Sequence, residues 1–232
     1  MGMGNMKNGA RALYRLVLPE SVRGSAIVAR LKSQLLGHDW FYDADFYEKS
    51  VEGPALMSAK RIAESISSKL KPDRVIDVGC GTGALLEALR DNGSDVSGLE
   101  YSEAGLDYCH QRGLKVTKLN LEKDALDVEQ EYDVAISLEV AEHLPQRSAN
   151  RYVALLCRLS PVVVLTAATP GQGGTDHINE QPRSYWISKF EKLNFSYDEE
   201  LTTAWSSDWE RAGDVQGWYY QNLMIFRRVG NG

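Results

Sequence analysis

Apolar positions along this chain follow two alternating rhythms. Leu56, Ala59, Ala63, Ile66 and Leu70 recur at helical spacing and stop near Pro72. Short β-branched runs at 74–78, 95–100, 114–119 and 132–138 read as strands. Between them fall a helix over 84–90 and another that Ser102 caps and Gly113 ends. Tyr152, Leu155, Leu156 and Leu159 mark a further helix before Pro161. The segment 162–168 is almost continuously apolar, as in a strand covered on both faces. Ser184 is placed to cap a helix with Trp186, Ile187, Phe190 and Leu193 inward. Runs at 195–201 and 223–228 read as a closing strand pair, with 202–218 inserted between them. That insertion holds Trp205, Trp209 and Trp218, suited to stacking on a ligand or to covering the core. Alternating strands and helices predict an α/β fold with a doubly wound, mostly parallel sheet. Ligands of such sheets sit beyond the carboxyl ends of the strands, at the switch point. Residues 1–54 read as an N-terminal extension and 55–232 as one domain.

The first strand runs directly into Gly79-Cys80-Gly81-Thr82-Gly83 and then a helix. A strand, a glycine turn and a helix start form the usual receiver of a nucleotide-like cofactor. Gly79-x-Gly81-x-x-Ala84 also satisfies the dinucleotide fingerprint, which would imply an NAD(P)-dependent oxidoreductase. Asp77 decides between the two: a carboxylate there would repel a pyrophosphate but suits the ammonium and sulfonium of S-adenosyl-L-methionine. Glu100, at the end of the second strand, is placed to accept from two ribose hydroxyls. Cys80 reads as a small filler of the turn.

The pieces VIDVGCGTG, GLEYS, KLNLE and YDVAISLEVAEHLP resemble, in order and spacing, those of class I S-adenosylmethionine-dependent methyltransferases. The resemblance covers roughly 55–229 and implies a seven-stranded Rossmann-like sheet and methylation as the activity. It implies that Asp77, Gly79, Cys80, Gly81 and Gly83 hold the methionine end and that Glu100 and Tyr101 hold the ribose side. Asn120 and Leu121 would meet the adenine, and Leu138 and Glu139 would line the cofactor. The family more often has Asp at the position of Asn120.

Two polar segments remain for the acceptor, around Glu139–Pro145 and around Gly171–Pro182. Histidine is the natural base near pH 7. His143 and His177 lie at the active rim, with His177 favoured as base. The stretch GGTDHINEQPRSYWISKFEKLNF more loosely resembles a segment of methyltransferases from bacterial polysaccharide and glycolipid pathways. That implies a saccharide-like acceptor held by Asp176, Asn179, Gln181, Arg183 and Tyr185.

Charge narrows the partners. The chain of 232 residues carries a net −6, which argues against general nucleic-acid binding and leaves an RNA or protein acceptor as the weaker alternative. Residues 1–40 hold six basic and two acidic residues, a net of +4, so the rest carries −10. Ile27, Val28, Leu31 and Leu35 make 21–36 a basic amphipathic helix, fit for peripheral membrane contact or for covering the site mouth. His38, Asp39, Trp40, Phe41 and Tyr42 form an aromatic cluster suited to folding over the cofactor. Residues 1–10 read as disordered. No apolar run reaches the roughly 20 residues of a membrane span. Three scattered cysteines imply reduced thiols and a cytoplasmic protein. No CxxC or histidine cluster marks a metal site in the linear sequence, so none is expected.

Overall fold

The computed structural model describes residues 44–125 and 132–230. The expected helix at 21–36, the 38–42 cluster and the tail 1–10 lie outside them. Seven strands form one sheet: β1 Arg74–Val78, β2 Asp95–Glu100, β3 Val116–Lys118, β4 Val134–Leu138, β5 Val162–Thr166, β6 Phe195–Tyr197 and β7 Met224–Arg228. Their order is β3-β2-β1-β4-β5-β7-β6. Pairing is parallel except that β7 runs against both β5 and β6. The order reverses between β1 and β4, which places the switch point there.

The helices are α1 Glu52–Lys69, α2 Ala84–Asp91, α3 Glu103–Gln111, α4 Ala149–Leu159, α5 Arg183–Glu191, α6 Glu199–Ala212 and α7 Gly217–Asn222. One face of the sheet packs Ile62, Ala63 and Ile66 of α1 with Leu86 and Leu89 of α2 and Trp205 and Trp209 of α6. The other face packs Tyr152, Val153 and Leu156 of α4 with Trp186 and Phe190 of α5. The Phe190 and Phe226 rings stack at 3.8 Å. No described helix is long and apolar enough to cross a membrane.

The first two strands match the expected bounds, and the others are shorter than their apolar runs. Three further expectations change. The last strand pair does not extend to Leu201, because Asp198 accepts from the Leu201 N–H and starts α6. A carboxylate at a helix start followed by Glu199 and Glu200 favours helix over strand. The segment 202–218 is therefore most of α6 and the start of α7, and Trp205 and Trp209 are core. Helix α5 begins one residue before Ser184, with Pro182 at its N-cap, and Leu193 lies past its end and exposed.

Candidate active site

The carboxyl ends of β1, β2 and β4 open into a cavity of about 470 Å³. Its floor is the glycine turn. Gly79 has φ +80°, and a Cβ there would lie 2.5 Å from Val140. Glycine is thus required both for the left-handed backbone and for the close approach of the β4 loop. The turn's amides are already committed: Gly79 and Cys80 donate to the Leu99 carbonyl, at 2.7 and 3.1 Å, and Gly81 donates to Glu100 at 2.8 Å. A dinucleotide reading needs such amides for its diphosphate.

Acidic groups surround the cavity instead. Asp77 is buried, and burial with the neighbouring Glu100 pushes its carboxyl up to about 8. Glu100 is also raised by burial, although the amides of Ser102, Gly81 and Tyr101 and the Tyr47 hydroxyl stabilise its charged form. Glu139 is raised by burial too, against hydrogen bonds that include those from Asn222 at 3.1 Å and Gln172 at 3.3 Å. It sits at φ +55°, a costly conformation for a non-glycine residue, which the Thr166 contacts to its amide hold. Among the described residues, the lining includes no lysine or arginine. A cation is therefore the ligand this cavity is charged to receive.

Most of the expected cofactor residues line the cavity: Asp77, Gly79, Cys80, Gly81, Glu100, Tyr101, Asn120, Leu121, Leu138 and Glu139. Gly83 does not. It caps α2 at φ +78°, and a Cβ there would meet Leu114 at 2.5 Å, so its smallness serves packing. The Asn120 Oδ1 accepts from the Glu122 amide at 2.9 Å, which fixes the turn after β3. Cys80 packs its sulfur 3.9 Å from that of Cys109, as a filler would. Phe46, Tyr47 and Tyr219, without an assigned role in the sequence reading, also line the wall, together with Gln172 of the second polar segment and Trp218. Tyr47 comes from the turn before α1 and reaches Glu100 across 53 positions, a contact no local pattern signals.

The two polar segments meet at the open end. Glu142 is fully buried; its carbonyl accepts from the Ile178 and Asn179 amides at 3.0 Å each, which clasps 139–145 to 171–182. Burial and then Glu139 hold the Glu142 carboxyl well above the usual range. His143 and His177 line the cavity with ring centroids 5.0 Å apart, edge to face. The His143 Nδ1 lies 3.2 Å from the Asp176 carbonyl. The His177 Nδ1 lies 3.0 Å from the Glu180 carboxylate. Burial opposes charge on Glu180, but hydrogen bonds from His177, Gly171 and Gly173 hold it below its ordinary value. Each contact fixes the orientation of its ring. The linear sequence shows no histidine cluster, yet the fold brings ligand atoms of Glu142, His143 and His177 within 4.8 Å of one another.

The expected saccharide-binding set is not at this wall. Asp176 and Asn179 are buried, and Asn179 donates to the Ala141 carbonyl while Gln181 donates to Asn179. Tyr185 packs edge-on against Trp186 at 5.0 Å, and Arg183 donates to Tyr197 and the Gln221 carbonyl. Each residue supports the loop or α5, and none lines the cavity.

A seven-stranded sheet with β7 reversed, a glycine turn after β1, an acid ending β2 and an acid-lined cavity together define a class I S-adenosylmethionine-dependent methyltransferase. Residues 54–222 match the methyltransferase domain family, and the chain belongs to it. A ubiquinone biosynthesis O-methyltransferase of Stutzerimonas stutzeri is 30% identical over 161 residues, covering 66% of this chain. The match spans 64% of that relative, so the chain covers less than two thirds of it. The crystal structure of DesVI from Streptomyces venezuelae superposes with a TM-score of 0.61 at 16% identity, over 80% of this chain and 98% of that one. CalS10 of Micromonospora echinaspora, an amino pentose methyltransferase solved with its methyl donor bound, gives 0.55 at 19% identity, over 74% and 90%. At these identities the two structures show the fold alone.

Proposed function

We propose that this chain moves the methyl group of S-adenosylmethionine onto a hydroxyl oxygen of a small acceptor, a flat ring with neighbouring hydroxyls. The observation that carries the donor is the acid set of buried Asp77 and Glu100 with partly buried Glu139, around one cavity that no lysine or arginine among the described residues lines. In this reading Asp77 faces the cationic methionine end and Glu100 accepts from the ribose. Asn120 and Leu121 then border the adenine, while Leu138 and Glu139 border the sulfur. Methyl transfer is an in-line displacement, and holding the acceptor in line supplies roughly 7–11 kcal/mol of the barrier reduction. His143 and His177 stand at the open end and act on the acceptor's hydroxyl.

Two things favour a flat ring over a saccharide. The polar residues expected to hold a sugar support the loop instead, and Phe46, Tyr47, Trp218 and Tyr219 present aromatic walls. The relatives' name, ubiquinone biosynthesis O-methyltransferase, agrees with an oxygen acceptor. The test is transfer from methyl-labelled donor to a panel of dihydroxy-aromatics, monophenols and monosaccharides. Labelled methyl ether on the dihydroxy compounds is the expected product. Transfer to monosaccharides alone would reverse the acceptor, and no binding of S-adenosylhomocysteine would remove the whole reading.

A further inference from the structure

We propose that Glu142, His143 and His177, with Glu139 beside them, form a binding site for one divalent first-row transition-metal cation that grips the acceptor's neighbouring hydroxyls. The inference rests on the methyl-transfer reading above and names how the acceptor is held. The linear sequence gave no expectation of a metal.

Four observations converge. The ligand atoms of Glu142, His143 and His177 lie within 4.8 Å of one another, close enough to share one ion. Glu142 Oε1 accepts from the Ala168 amide, but its Oε2 is buried and receives no hydrogen bond from any donor among the described residues. A buried acceptor in that state costs free energy unless something positive meets it. Both imidazoles are oriented from behind, His177 by the Glu180 carboxylate at 3.0 Å and His143 by the Asp176 carbonyl at 3.2 Å. Partners behind an imidazole fix its tautomer and aim it at a metal. Glu139 and Glu142 lie together, and no lysine or arginine among the described lining residues offsets them. Two neighbouring carboxylates without a cation are expensive, and a dication is the compact way to pair both at once.

Mixed imidazole and carboxylate donors suit Zn²⁺, Mn²⁺, Fe²⁺ or Co²⁺ better than the all-oxygen shells of Mg²⁺ and Ca²⁺. His143, His177 and Glu139 all line the cavity, so open positions of the ion face the acceptor. Binding two adjacent oxygens there would make a chelate and lower the pKa of the hydroxyl. The hydroxyl proton passes to water at the open mouth. The oxygen lone pair forms the new C–O bond, the C–S bond breaks, and its electrons return to sulfur as the neutral thioether. In this arrangement the histidines hold the ion and do not themselves take the proton, which replaces the role of His177 as base.

The experiment uses the purified full-length chain, stripped with a chelator and titrated with Co²⁺ and with Zn²⁺. One equivalent should bind, with Co²⁺ giving visible ligand-field bands and Zn²⁺ raising the Tm. His177→Gln should abolish the bands. Glu180→Gln, which removes the charge behind His177 and keeps an oxygen for the Gly171 or Gly173 amide, should weaken binding about 10- to 100-fold. S-adenosylhomocysteine affinity serves as the internal control, and both variants should retain it. Intact S-adenosylhomocysteine binding without any metal binding overturns the metal site and leaves the methyltransferase reading standing. So does metal binding that His177→Gln and Glu180→Gln leave unchanged, or methyl transfer at full rate in the stripped protein. Failure of S-adenosylhomocysteine binding in the native chain strikes the methyl-transfer reading itself.

Discussion

Replacing Asp77 by Asn isolates the charge that a cationic methyl donor would neutralise. The side chain is buried at the end of β1, and burial with Glu100 nearby pushes its carboxyl up to about 8. At pH 7 about nine molecules in ten therefore carry it protonated before any ligand arrives. The donor's sulfonium and ammonium favour the carboxylate, so binding expels that proton. The expected release is about 0.9 proton per donor at pH 7, and the association constant should rise about 25-fold between pH 6 and pH 7.5. This window stays below the donor's own α-amino range of roughly 7.7–8.0. Calorimetry in two buffers of different ionisation enthalpy counts the proton directly. In Asp77→Asn the count should fall toward zero and the pH slope should flatten.

Stability gives a second reading of the same group. Its folded pKa lies above the ordinary carboxylate value, so the native state binds the extra proton between the two. The stabilisation is complete below about pH 4 and is lost as pH rises through about 8. The full swing has a ceiling on the order of 5 kcal/mol. Asp77→Asn should therefore be the more stable protein in urea at pH 9. Donor binding with no proton released, together with an unaltered slope in the variant, refutes the electrostatic argument.

Other perturbations separate packing from ligand contact. Glu100→Gln should weaken donor binding by roughly 1.5–3 kcal/mol in calorimetry for each charge-assisted hydrogen bond lost. It should also lower Tm, because the same carboxylate accepts from the Gly81, Tyr101 and Ser102 amides. Trp209→Ala should cost about 3–5 kcal/mol of unfolding free energy in urea, since the ring is fully buried and donates to Ser65 at 2.8 Å. A loss below about 1 kcal/mol would mean that α6 is not core. Gly83→Ala should destabilise by about 1–3 kcal/mol through its contact with Leu114. Lost donor affinity at unchanged stability would return Gly83 to the ligand.

Much of the strand-end wall of the cavity was legible because its residues are neighbours in sequence. Asp77, Gly79 and Gly81 share one strand-to-turn segment, and Glu100 ends the next strand at the register that parallel pairing dictates. The acceptor half was not legible. Asn179, Gln181 and Tyr185 carry polar groups that suit a ligand, but hydrogen-bond satisfaction inside the loop and packing on Trp186 claimed them first. Gly83 belongs to the glycine pattern, and only the position of Leu114 shows what its missing side chain is for.

The alternation of apolar rhythms by itself determined the order of strands and helices, the parallel pairing and the rim where ligands gather. Each of those follows from interactions over a few residues and from the right-handed crossover. The clasp between the two loops was decided only in three dimensions. So were the meeting of His143 with His177 beside Glu139 and Glu142, and the reach of Tyr47 to Glu100. Those contacts join segments far apart along the chain, and which groups end up facing each other depends on how the whole sheet and its helices pack.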